Sequence, residues 1–192
     1  MFAENLSNDK VIELPLYQFT GGIFVIDTLK KLYDYLPLLE NQKILGFDTE
    51  TKPSFKKGKV NPVSLLQITT LNEAFLIRIN RIGLPEEIKW ILSDSNVKKI
   101  GLAIKDDIKI LKEINDFEPN GFIDLQDYVE AFGIEAKSLK KITAIVLDKR
   151  VSKSQQVSNW EKEELTDGQK IYASTDAWAC LKVYNKLNRV NI

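Results

Sequence analysis

Asp48 and Glu50 stand two residues apart at the end of the apolar run Ile44-Leu45-Gly46-Phe47. In a strand, residues i and i+2 point to the same face, so the two carboxylates project side by side. Paired anions at the end of a buried strand repel each other and lose hydration, and a divalent cation relieves both costs. Asp-x-Glu is also common at solvated strand ends, so the pair gains meaning only with further acids. Two more segments supply them. Lys99-Ile100-Gly101-Leu102-Ala103-Ile104-Lys105-Asp106-Asp107 reads as a buried strand followed by a helix start. Helical spacing puts Asp107 on a stripe with Leu111 and Ile114, facing inward. It puts Asp106 with Lys109 and Glu113, facing outward, where the expected role is capping. In Tyr172-Ala173-Ser174-Thr175-Asp176, the tyrosine and aspartate are four apart and share a helix face.

Composition narrows the chemistry. The 192 residues contain no histidine and a single cysteine, Cys180. Histidine-based acid–base catalysis, Ser-His-Asp and Cys-His nucleophiles, and histidine- or thiolate-bound zinc are all excluded. A metal here must be held by oxygen, which points to magnesium or manganese. Lys+Arg and Asp+Glu are both 27, so any nucleic-acid surface must be a local patch. One such stretch is Thr51-Lys52-Pro53-Ser54-Phe55-Lys56-Lys57-Gly58-Lys59, where lysines flank an aromatic. That mixture suits a single strand, gripped by charge and stacking, with Phe55, Lys56 and Lys57 as candidate contacts. Trp160 is a second aromatic candidate, although a core role also fits it. The chain start has no secretory pattern, no apolar stretch reaches membrane-span length, and a lone cysteine forms no internal disulfide; the expected setting is cytoplasmic, without a membrane partner.

The elements that must position these residues follow from periodicity and punctuation. Strands are expected at 22–26, 44–51, 63–70, 74–79 and 98–102. Helices are expected from Thr28 towards Leu39, from Pro85 to Leu92, and over 106–114, 125–132, 138–146 and 166–187. Thr166 and Gln169 have capping-box spacing at the head of the last helix. Ala173 and Ala177 on its apolar stripe would let it approach the sheet closely. No repeat or linker divides the chain. The expectation is one α/β domain, a mixed central sheet flanked by helices, with a core over about 22–188 and an irregular N-terminal arm over about 1–17.

Taken together, Phe47-Asp48-Thr49-Glu50, the segment from Gly101 to Leu111 with Asp107, and Tyr172-Ala173-Ser174-Thr175-Asp176 resemble the three motifs of the DEDD 3′–5′ exonucleases. The resemblance is to the subclass with tyrosine in the third motif, within the ribonuclease H-like superfamily. Leu65-Leu66-Gln67-Ile68 and the stretch from Asp124 through Lys153 and Ser158-Asn159-Trp160 to Asp176 are similar to ribonuclease D and Werner-type exonuclease domains. The resemblance spans about residues 44–187. It implies a ribonuclease H-like fold and two divalent ions, Mg2+ or Mn2+, about 3.5–4 Å apart. By the same resemblance Asp48, Glu50 and Asp176 hold one ion, and Asp48 reaches the second with Asp107. Tyr172 orients the attacking water, and Glu50 and the Thr49 backbone receive the terminal 3′-hydroxyl. The implied reaction takes nucleoside 5′-monophosphates from the 3′ end of single-stranded or 3′-overhang DNA or RNA. The chain would act alone or with a separate partner protein; oligomeric state is open. A catalytically inactive nucleic-acid-binding domain of the same fold, and an endonuclease or phosphatase built on acids, are the competing readings.

Overall fold

A computed structural model describes residues 2–54 and 61–190. In chain order the elements are α1 (Asn8–Glu13), β1 (Gly22–Ile26), α2 (Leu29–Tyr35), α3 (Pro37–Glu40), β2 (Ile44–Thr51), β3 (Val63–Thr69), β4 (Glu73–Ile77), α4 (Ile79–Ile82) and α5 (Glu86–Ser93). They continue with β5 (Lys98–Gly101), α6 (Lys105–Ile114), β6 (Phe122–Asp124), α7 (Leu125–Tyr128), a 3₁₀ turn (Val129–Phe132), α8 (Leu139–Leu147) and α9 (Asp167–Leu187). The strands form one six-stranded sheet in the order β1-β4-β3-β2-β5-β6. β3 runs antiparallel to β2 and β4, while β5 is parallel to β2 and β6, and β1 to β4. The expected mixed sheet flanked by helices is what forms.

Strand alternation divides the side chains between two faces. Leu45, Phe47, Leu66, Ile68, Phe75 and Ile77 join the core shared with Leu32, Leu39, Ile88, Leu92 and Leu111 of the first-half helices. The opposite face carries α9: Leu65 and Leu76 pack with Trp160, Leu165, Tyr172 and Ala173. Ile100 joins α8 and the end of α9 in a further cluster.

Several boundaries differ from expectation for local reasons. The helix from Thr28 breaks at Pro37, which has no N–H to continue it and instead starts α3. Ile79 begins a helix rather than ending β4, because the chain leaves the sheet at Arg78. Pro85 lies at the N-cap of α5, just before its first turn. The 125–132 helix tightens to 3₁₀ before Gly133, which stops it at φ 73°. β6 was not expected at all. The N-terminal arm is not irregular: α1 buries Val11, and the Glu4 carbonyl accepts the N–H groups of Glu135 and Ala136. Among the described residues no helix is long and apolar enough to cross a membrane.

Candidate active site

β2 pairs with β5 only from Ile44 to Gly46, then continues to Thr51 against β3 alone. β5 ends at Gly101, and the chain turns away into α6. A crevice therefore opens at the carboxyl ends of the parallel strands, the place where open α/β sheets bind ligands. Asp48 and Glu50 stand on the β2 face covered by α9. Gly46 lets that helix come close: a Cβ there would lie 2.2 Å from the Ala177 carbonyl oxygen and 2.3 Å from Thr69 Oγ1. Ala173 and Ala177 are fully buried at this contact, as the small-residue stripe predicts. The result places Asp176 against the strand. One carboxylate oxygen from each of Asp48, Glu50 and Asp176 lies within 4.8 Å of the other two.

These acids are not comfortable as anions. Burial, then the negative charges of Asp176 and Asp107, hold Asp48 well above the usual carboxylate range, although the Thr49 N–H donates to it at 3.0 Å. Burial, then the negative charges of Asp48, Asp176 and Asp107, push Glu50 up to about 10. Asp176 is raised by burial, against the opposing pull of the Tyr172 hydroxyl and the Lys153 charge. Tyr172 is raised far above an ordinary phenol, by burial first and then by Asp176 and Glu50, so it stays protonated at neutral pH. A divalent cation reverses this balance by supplying the missing positive charge. An oxygen-only donor set on half-buried residues fits a hard cation such as Mg2+ or Mn2+.

Asp107 approaches differently. Thr49 alternates to the other face of β2, and its hydroxyl donates to the Asp107 carboxylate. Asp107 is raised by burial while that hydroxyl pulls it down. It acts on Asp48 and Glu50 through its charge but lies outside the three-acid group. Asp106 does not cap α6: the N-cap is Ile104, with no side-chain bond. The carboxylate that serves this turn is Asp124, which accepts the N–H groups of Ala103 at 2.9 Å, Ile104 at 3.0 Å and Gln126 at 2.9 Å. It thereby ties the left-handed Ala103 (φ 57°) to the end of β6. The signal was present in Phe122-Ile123-Asp124-Leu125, an acid between a short apolar run and a helix, and the role was missed because β6 was missed.

The cleft beside the acids has a volume of about 290 Å³. Asp48, Tyr172 and Asp176 line it, along with Lys140, Ser152, Lys153 and Gln156. Lys140 and Lys153 were not among the expected substrate contacts. Both line the cleft beside the acids, and the Lys153 charge acts on Asp176. Phe55, Lys56 and Lys57 lie outside the described residues. Trp160 is corrected: it is 0% exposed, with its ring centroid 6.0 Å from that of Tyr172, so it forms the floor behind the tyrosine and offers no face to a base.

Comparison with known proteins agrees with this geometry. The family model for 3′-5′ exonucleases matches residues 23–191. The bifunctional 3′-5′ exonuclease/ATP-dependent helicase WRN of Mus musculus is 31% identical over 188 residues, covering 92% of this chain and 13% of that protein. The exonuclease mut-7 homolog of Aedes aegypti is 27% identical over 193 residues, covering 87% and 26%. This chain thus spans about an eighth and about a quarter of those two relatives. Among solved structures, the Nibbler EXO domain of Aedes aegypti superposes with a TM-score of 0.77 at 24% identity, covering 90% of this chain and 91% of that one. RNase D of Escherichia coli, an exoribonuclease involved in structured RNA processing, gives 0.78 at 21% identity, covering 87% and 44%. At these identities the structural likeness carries the fold.

Proposed function

The chain belongs to the 3′–5′ exonuclease family, and from that membership we propose that it hydrolyses phosphodiester bonds from the 3′ end of DNA or RNA, releasing nucleoside 5′-monophosphates. We place it in the subclass with tyrosine in the third motif. The observation that carries the reading is the meeting of Asp48, Glu50 and Asp176 within 4.8 Å, with Tyr172 on the same cleft wall.

Asp48, Glu50 and Asp176 would hold one divalent ion, and Asp48 with Asp107 a second. Two such ions supply an activated water and stabilise charge on the leaving 3′ oxygen. Tyr172, protonated and fixed beside Asp176, orients the attacking water as a hydrogen-bonding partner rather than as a base. Glu50 and the Thr49 backbone, at the open end of β2, receive the terminal 3′-hydroxyl. Lys140 and Lys153, which line the same cleft as Asp48 and Asp176, would neutralise backbone phosphates of an entering single strand or 3′ overhang. Phe55, Lys56 and Lys57, which lie outside the described residues, are proposed from their residue types as further contacts to the strand.

The test is digestion of matched DNA and RNA oligonucleotides with free 3′ ends, with and without Mg2+ or Mn2+, beside an Asp48→Ala control. Stepwise loss of 5′-monophosphates that needs both metal and Asp48 supports the proposal. Binding without shortening under every metal condition would leave a nucleic-acid-binding domain. Cleavage of a circular single strand would turn the assignment to an endonuclease.

A further inference from the structure

Arg78 is 1% exposed, and its guanidinium meets no carboxylate within bonding distance among the described residues. It is the residue immediately after β4, and strand alternation sets it on the face of Leu76, where Trp160, Leu165 and Tyr172 pack. Its two terminal nitrogens donate to the main-chain carbonyls of Lys162, at 2.5 Å, and Glu163, at 3.4 Å. Its Nε–H has no partner among the described residues. Burying a cation against neutral carbonyls is expensive, and an apolar side chain of similar volume would fill the space at lower cost. What the arginine adds is geometry: a rigid fork that fixes two successive peptide groups.

Those peptides belong to an irregular stretch that is tied down from outside. Arg81 also donates to the Glu163 carbonyl. Lys52, just past the end of β2, pairs with Glu161 at 2.8 Å. Gln169, in the first turn of α9, donates to the Asn159 carbonyl at 3.2 Å. Between these ties sits Trp160, fully buried under the Tyr172 ring at an interplanar angle of 34°. Tyr172 has open cleft on one side and Trp160 on the other. Whatever holds Trp160 therefore limits where the tyrosine hydroxyl can stand relative to Asp176.

We infer that Arg78 is a positioning residue: it clamps the Lys162 and Glu163 carbonyls, keeps Trp160 seated, and thereby fixes Tyr172 at the acid cluster. The effect on turnover rests on the exonuclease reading above, while the effect on Trp160 does not.

The experiment uses a Trp90→Phe/Trp178→Phe background, in which Trp160 is the sole tryptophan, and compares Arg78→Met, Arg78→Lys and Arg81→Gln. Acrylamide quenching reports the seating of Trp160; single-turnover and steady-state digestion of a 3′-hydroxyl oligonucleotide report kcat and KM; titration reports Mn2+ affinity. For Arg78→Met the expectation is a quenching constant at least about doubled, kcat reduced about ten- to a hundredfold, and KM and Mn2+ affinity within about twofold. Arg78→Lys, with a single donor head, recovers part of both signals. A Trp160 as shielded as in the parent, or a loosened Trp160 with unchanged kcat, overturns the inference. If Arg78→Met does not fold, Arg81→Gln decides: it removes one tie to Glu163 and should move quenching and kcat in the same direction by less, and no change in either overturns the clamp. If the parent protein shortens no oligonucleotide, the exonuclease reading falls, and quenching alone still decides whether Arg78 seats Trp160.

Discussion

Asp107 acts by its charge on Asp48 and Glu50 of the three-acid group, but different forces put the group and Asp107 in place. Asp48, Glu50 and Asp176 are assembled by packing: the bare backbone of Gly46 lets Ala177 sit on β2, and the carboxylates follow from strand and helix spacing. Asp107 is assembled by hydrogen bonds, one from the Thr49 hydroxyl and, at one remove, the three N–H groups gathered by Asp124. The first arrangement is stiff and costly to disturb. The second is adjustable, and it depends on single polar atoms.

That contrast can be broken at graded points. Asp48→Ala removes the acid that would serve both ions; losing several kcal/mol of charge stabilisation corresponds to about 10³-fold in rate. The metal-free variant should melt no lower than the parent, because a buried carboxyl whose ionisation is opposed by burial and by Asp176 and Asp107 is gone; thermal denaturation in chelator checks this. Gly46→Ala strikes the packed side. Its Cβ would meet the Ala177 backbone as well as the buried Thr69 hydroxyl, so α9 must move, with a stability loss of about 1–3 kcal/mol and weakened Mn2+ binding, measured by denaturant unfolding and titration. Asp124→Ala strikes the hydrogen-bonded side: activity should fall about 10–100-fold, with binding of the first Mn2+ retained. Thr49→Val, which frees only Asp107, should cost about tenfold under the same assay, at the low end of that range. A Thr49→Val variant that lost the first metal site would show the two arrangements to be one.

The smallest effect concerns pH. Glu50 has an ordinary pKa of 4.5 and is pushed up to about 10 in the fold, and Asp48 and Asp176 are raised as well. Between those values the metal-free fold binds protons that the unfolded chain has released. Its stability is therefore fullest below the unfolded value and declines as pH rises through the window. Saturating Mg2+ should flatten the decline and release protons on binding, which thermal melts at about pH 5, 7 and 9 and calorimetry in two buffers would show.

Much of this frame was legible in the chain. β1 and β2 have their expected bounds, and Thr166 and Gln169 form the expected capping box, because alternation and capping are local and strong. β6 escaped because three residues give no period, and with it went Asp124. Asp106 looked like a cap because acids at helix starts usually are; α6 has no side-chain cap, and the turn before it is held instead by Asp124 from another strand, which spacing along the chain cannot reveal. Trp160 illustrates the same limit, since an aromatic between polar neighbours reads alike whether it faces solvent or the back of Tyr172. Lys140 and Lys153 became cleft residues only when α8 and the following loop folded across the sheet.

β2 lies in the interior of the sheet, with β3 and β5 on its two sides around Gly46. Backbone amides there are released to deuterium only when the whole domain opens, whereas α1 and the 151–158 loop should exchange through small local excursions. The strand that presents Asp48 would thus be among the last parts of the molecule to lose its shape. Warming or mild denaturant should loosen the rim that grips a substrate before it disturbs the acids, so affinity for nucleic acid should fade at conditions where a tightly bound metal ion is still retained.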